Sequence, residues 1–305
     1  MVLEPVPADP PAPGPPAPHP QLYPAALAGS AAHLRHLRDE EGADLFATDG
    51  VLSALARAAE AGSLEALGVF LEAAPPQGQL DDGLAGAIRG GHQPCAEALL
   101  AAGADPLGVY VLESATQAAR DRGDPSSLLL CLGALAARGR AALGAGLADL
   151  TDLHFVFSGA VSDAARPDSL GPLAALLEFG RWAAGGGDAG AGGGDAGGGH
   201  AAPPEFLGRA ASRAFVSAVV IRAEEWDAAG WAPVARLLAR GGADPQLALA
   251  RLAPRPPPAA EARRARVQEA WAAAAPPRWG AAEEAALDAE VAPLLQELGA
   301  LLAGA

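Results

Sequence analysis

Residues 84–106 read LAGAIRGGHQPCAEALLAAGADP. The stretch divides at Gly91-His92. Leu84–Gly90 is short, built of small residues, and apolar on one side. After the break, Cys95, Ala98, Leu99 and Ala102 stand at spacings 0, 3, 4 and 7, which is one face of an α-helix. Pro94 suits a first helical turn, where its missing N–H would have had no partner anyway. Gly103 follows the last apolar residue, where a left-handed C-cap favours glycine. The spacing predicts two antiparallel helices joined by a tight Gly-His turn, with a stop at Gly103-Ala104-Asp105-Pro106.

Leu84, Ala87, Gly91, His92, Leu99, Leu100, Gly103, Ala104, Asp105 and Pro106 stand where an ankyrin repeat carries L-x-x-A-A-x-x-G-H and LL-x-x-GADP. The stretch resembles one such repeat. It departs from the family at its start, where Asp82-Gly83-Leu84-Ala85 replaces Thr-Pro-Leu-His. The resemblance therefore implies that the usual histidine hydrogen bonds are lost, with Asp82 as the expected substitute N-cap.

One such unit cannot bury its apolar face alone, so copies are expected. Ala54–Pro75 is one, with Leu55, Ala58, Ala59, Gly62, Leu64, Glu65 and Leu71 in register. Gly62 and Gly91 are 29 residues apart, under the family's period of about 33, so the connection between these pairs is expected to be short. Ser114–Gly139 is a degenerate copy with Ala118, Ala119 and Gly123 at its turn. Asp163–Gly180 and Gly230–Pro245 read as further second helices. In the latter Trp231 takes the histidine place, and Gly242-Ala243-Asp244-Pro245 closes the helix. The resemblance implies an all-α, ankyrin-like solenoid of stacked antiparallel helix pairs with short or absent β-hairpins. Its repeat-defining residues are Gly62, Gly91, His92, Gly103, Asp105, Pro106, Gly230, Gly242, Asp244 and Pro245.

Half the residues are apolar, mostly Ala and Leu, and aromatics are few, so the core is expected to be made of small side chains. There is no lysine, which removes acetylation and ubiquitin attachment through lysine from consideration. The net charge of −15 argues against a nucleic-acid partner, which needs clustered positive charge. Charge is uneven: residues 33–82 carry three Arg against ten acids, and residues 251–279 carry six Arg against two. Cys95 and Cys131 lie on apolar faces and read as small core residues. They imply no disulfide framework, which points to a reducing compartment, cytoplasm or nucleus. The first basic residue is Arg35, so a secretory signal is not expected. No apolar run reaches the roughly 18 residues of a membrane span.

Residues 1–24 are proline-rich and expected to be a disordered tail. The repeat array is placed at 25–252. It opens with a capping segment, residues 25–48, whose buried side would be Leu27, Leu34 and Leu37. His33 and His36 stand three apart, but Arg35 and Arg38 beside them oppose a cation, so neither metal nor cofactor is implied. Residues 183–202 form a glycine-rich insertion between repeats, and Phe206–Asp227 reads as a long helix. Residues 253–305 are a proline-rich linker and C-terminal helices, Ala259–Ala275 and Glu283–Leu302. The last places Leu287, Val291, Leu294, Leu295, Leu298 and Leu301 on one side and is expected to cap the array's final apolar face.

No nucleophile elbow, HExxH, Walker or dinucleotide-binding pattern is present, so no catalytic residues are assigned and no enzyme is expected. The resemblance implies that the ends of first helices and the loops before them line a concave edge. The contact candidates there are Glu60, Arg89, Arg120, Asp121, Arg122, Trp226 and Trp231. The expectation is a monomeric, non-enzymatic scaffold or adaptor that binds another protein through this edge. The alternative is a targeting or assembly subunit that docks through the C-terminal amphipathic helices.

Overall fold

A computed structural model describes residues 18–48, 52–108, 110–139, 143, 152–183, 205–221, 228–244, 265, 272 and 280–303. These residues are mostly helical. The helices are α1 (Leu22–Leu27), α2 (Ala31–Asp39), α3 (Ala54–Glu60), α4 (Leu64–Glu72), α5 (Gln77–Gly90), α6 (Gln93–Ala101), α7 (Val111–Arg122), α8 (Ser126–Ala136), α9 (Asp152–Ala164), α10 (Leu170–Ala183), α11 (Glu205–Ile221), α12 (Ala228–Arg240) and α13 (Ala281–Ala303). Among the described residues no strand forms, and Thr48 and Ser53 make an isolated antiparallel bridge.

The helices fold as successive pairs. Gly29, Gly62, Gly91 and Gly123 sit between the two members of the first four pairs with φ of +68°, +76°, +76° and +65°. Glycine adopts this left-handed region without a Cβ penalty, so the chain can reverse there in two or three residues. Ser30, Ser53 and Ser63 accept the N–H of His33, Ala56 and Ala66 and so cap α2, α3 and α4. First members pack on first members, α1 on α3, α5, α7, α9 and α11 in turn, and second members do the same from α2 to α12. The result is two rows, named inner for the first members and outer for the second, around a core of Ala and Leu, with Phe70, Phe157, Phe179 and Phe215 as its largest buried side chains.

Several expectations shift. α5 begins at Gln77, so Asp82 lies inside the helix and does not cap it; the N-cap position is Pro76, with no side-chain bond. Only residues 73–76 join α4 to α5, and the buried Leu80 extends the apolar face one turn upstream of Leu84. Asp81 has the structural role instead: its Oδ1 accepts the N–H of Asp105 at 2.6 Å and the Gln77 amide at 2.8 Å. Leu27 ends α1 and is 62% exposed, while Leu34 and Leu37 are buried as expected. Leu22 and Tyr23, placed in the disordered tail by composition, belong to α1, and Leu22 is fully buried; residues 1–17 lie outside the described residues. The second helix of the fifth pair starts at Leu170, after a 3-10 turn at Pro167–Ser169, and Asp163 belongs to α9. Gly230 lies within α12, so it does not form a turn; the helix starts two residues earlier, at Ala228. The glycine-rich residues 184–202, Trp226 and Pro245 lie outside the described residues, as does all of Ala259–Ala275 except residues 265 and 272.

α13 does not cap the end of the stack. It runs back along the outer row. Near its start Glu284 accepts from Arg236 Nε at 3.0 Å and Arg240 Nε at 3.1 Å, and Asp288 accepts from Arg240 Nη1 at 2.8 Å, all from α12. Further along, Leu294 meets Gly171 of α10 and Leu301 meets Gly133 of α8. Leu287, Val291, Leu294 and Leu298 are buried by this crossing. The basic partners on α12, the apolar contact with α10 and the close approach at Gly133 of α8 hold the helix across three outer members. Among the described residues no helix is long and apolar enough to cross a membrane.

Candidate functional site

The C-terminal ends of the inner helices form one charged edge. On α3, Arg57 Nη1 lies 3.5 Å from Glu60 Oε2, and Glu60 Oε1 lies 3.9 Å from Arg89 Nε at the end of α5. On α7, Arg120 Nε pairs with Asp121 Oδ1 at 2.7 Å. Arg122 reaches back to α5, donating from Nη2 to the Ile88 carbonyl at 2.7 Å and from Nη1 to the Arg89 carbonyl at 2.9 Å. Cations near a helix C-terminus interact favourably with its exposed carbonyls.

Between α5 and α7 this edge holds a depression of about 220 Å³ lined by Arg89, Ser114, Gln117, Ala118, Asp121 and Arg122. The structure thus gathers Glu60, Arg89, Arg120, Asp121 and Arg122 along three successive pairs. Arg57, Ser114 and Gln117 join them as residues outside the sequence-based candidates. Arg57 stands three residues before Glu60, a helical ion-pair spacing that is visible in the sequence. Ser114 and Gln117 carry no local signal. Trp226 lies outside the described residues, and Trp231 is described only as part of the α12 backbone.

Packing at the turns explains why these side chains are fixed. Ser63 Oγ donates to the Gly29 carbonyl at 3.2 Å. A Cβ on Gly62 would overlap the His92 ring, and one on Gly91 would lie 3.4 Å from Arg122 Nε. Gly29, Gly62 and Gly91 are therefore each covered by a side chain of the next pair. Among the described residues nothing comes within 4 Å of a Cβ placed on Gly123, which follows Arg122 of the depression.

The closing loops are held in a matching way. Gly103 and Gly242 are left-handed, at φ of +100° and +85°. The N–H of Asp105 donates to Asp81, and the N–H of Asp244 donates to Ser212 Oγ at 2.8 Å. Asp105 Oδ1 also accepts from the Leu107 N–H at 2.8 Å and from Arg138 Nη2, one pair further on, at 2.6 Å. Pro106 follows directly and breaks the chain away from α6.

The edge offers fixed charges and polar groups. The hydrogen bond from Arg120 holds Asp121 below the usual carboxylate range. Burial raises Glu113 on the same helix, and the Asp163 carboxylate on α9 adds to this. Burial pushes the Cys131 thiol up to about 12 and also raises Cys95, so both stay protonated core thiols. Among the described residues no group of three His, Cys, Asp or Glu side chains is placed to hold a metal. No known protein family, curated protein or solved structure matches the chain.

Proposed function

We propose that the chain is an ankyrin-type repeat protein acting as a non-enzymatic scaffold or adaptor, with another protein bound along the charged ends of its inner helices. The observation that carries this reading is the shared depression between α5 and α7, walled by Arg89, Asp121 and Arg122. Its side chains are held by the backbone and by one another, so binding costs little ordering entropy. Arg57, Arg89, Arg120 and Arg122 share this edge with the carboxylates Glu60, Asp82, Asp121 and Asp124. At the depression itself the guanidiniums of Arg89 and Arg122 favour an acidic segment of the partner. The setting that fits two buried free thiols is a reducing one, cytoplasm or nucleus, and the scaffold acts as a monomer.

The test is affinity capture with the full chain and with its Arg89→Glu/Gln117→Glu variant. Both positions are exposed on the edge, so the variant keeps the melting curve of the parent. Loss of a partner from the variant alone supports the edge, and an unchanged partner set contradicts it. Docking through the C-terminal helices is less well supported, because the apolar side of α13 is already buried against α8 and α10.

A further inference from the structure

The depression between α5 and α7 has a direction. Its α7 wall is Ser114, Gln117, Ala118, Asp121 and Arg122, at spacings 0, 3, 4, 7 and 8, so it runs lengthwise along the helix rather than across the pairs. Its volume of about 220 Å³ is below the roughly 300–1,000 Å³ of small-molecule pockets and does not admit a helix about 10–12 Å wide. An extended chain fits it. Unspent donors line it. Ser114 is 6% exposed. The hydroxyls of Thr116, Ser162 and Ser212 are donated to the carbonyl one turn back on their own helices, whereas among the described residues that of Ser114 is donated to nothing. Asp121 already accepts from Arg120 and Gln117. Arg89 Nε stands 3.9 Å from Glu60 Oε1, beyond hydrogen-bond distance, and Arg122 gives only part of its fork of donors to the Ile88 and Arg89 carbonyls. This end therefore lacks an acceptor, and its two guanidiniums suit a carboxylate.

The start of α7 has the opposite chemistry. Tyr110 is 65% exposed and left-handed at φ +66°, a strained conformation for a bulky residue. Glu113 is exposed and meets the like charge of Asp163 on α9, and among the described residues no cation offsets it. An aromatic face beside such a carboxylate suits a cation. Glu113 and Arg122 are nine residues apart on α7, about 13 Å along the axis, which is the length of about four residues of extended chain. Residues four apart in an extended chain point to the same side. Building on the edge as the partner's binding surface, we infer that the partner presents a short extended segment that lies along α7, with an acidic side chain between Arg89 and Arg122 and a basic side chain about four residues away, over Tyr110 and Glu113.

The probe is a library of random peptides displayed on phage and selected on the full chain. Peptides that bind the full chain but not its Arg89→Glu/Gln117→Glu variant are expected to carry an acid and a base about four residues apart. In fluorescence titrations of one such peptide, exchanging its acid for Arg is expected to weaken binding about tenfold, and Arg89→Glu in the chain to restore it. Exchanging its base for Glu is expected to do the same, with Glu113→Arg restoring it. Glu113→Arg also relieves the repulsion from Asp163, so that variant stays folded. Tyr110→Gly removes the ring where glycine suits the backbone better, so it should raise the melting temperature and still weaken binding about threefold. Edge-dependent peptides without a base, or with acid and base about nine apart as on a helix, overturn the inference and leave the edge as the binding surface. Failure of Glu113→Arg to rescue does the same. If no selected peptide depends on the edge, the edge falls as a binding surface and the inference falls with it.

Discussion

Arg122 Nη2 donates to the Ile88 carbonyl oxygen at 2.7 Å, so the last residue of α7 closes the C-terminus of α5. The same guanidinium reaches the Arg89 carbonyl at 2.9 Å and covers the left-handed turn at Gly91. Arg122 is thus a strut between the third and fourth pairs as well as a wall of the candidate site. Arg122→Ala is expected to cost about 1–2 kcal/mol in urea unfolding, because two helix-end carbonyls lose a charged donor. Arg122→Lys should recover less than half of this, since an ammonium cannot fork across both oxygens. A loss below about 0.3 kcal/mol, the range of ordinary surface changes, would remove the strut.

The turn glycines make a graded prediction. Gly42 and Gly62 are both left-handed, at φ of +66° and +76°. Nothing described lies within 4 Å of a Cβ on Gly42, whereas one on Gly62 would overlap the His92 ring. Gly42→Ala should cost about 1 kcal/mol, the backbone contribution alone, and Gly62→Ala about 2–3 kcal/mol, because the imidazole must also move. Equal costs in denaturant melts would contradict stacking of one turn on the next. Ala74, at φ +54°, is a non-glycine residue in the same region, where the second helix α4 ends. Ala74→Gly is expected to stabilise by about 0.5 kcal/mol.

The turns are where the sequence is most legible. Gly91-His92 and the Gly-Ala-Asp-Pro stops announce helix ends because only particular residues suit left-handed backbone and chain breaks. The start of α5 is hidden because Gly78, Gly83 and Gly86 look like helix breakers. Two of these serve packing: a Cβ on Gly83 would overlap Leu55, and one on Gly86 would lie 2.6 Å from the Ala56 carbonyl oxygen, so they let α5 approach α3. α1 is hidden behind the proline run, although Pro24 occupies its first turn, where proline is tolerated. The apolar stripe of α13 is plain, but not what it covers, since the surface that receives it exists only once α8 and α10 are side by side. Of the candidate site, the charged helix ends are legible from their position before the turn glycines. Ser114 and Gln117 are not, because a depression between two helices has no sequence period of its own.

The ion-pair clasp between α13 and α12 has a defined acid limit. Burial pushes Glu284 up, but hydrogen bonds from Arg236 and Arg240 outweigh it and bring its carboxyl down to about 2, from an ordinary 4.5. A carboxylate held below its unfolded value adds stability that is fully present above the unfolded value and is lost as pH falls through the folded one. The clasp should therefore hold unchanged from neutral pH down to about 5 and weaken between about 4.5 and 2. Melting temperatures of the parent should fall more steeply over that interval than those of Glu284→Gln, which lacks the clasp at every pH. Parallel curves would show that these ion pairs do not secure α13.

The proposed binding surface is the inner-helix edge between α5 and α7. Hydrogen exchange read by mass spectrometry, on the full chain free and in complex with its captured partner, tests this most directly. Slowed exchange at residues 86–92 and 114–123, with α4 and α6 unchanged, is the predicted result. Protection elsewhere, with those two segments exchanging as they do in the free chain, would contradict it.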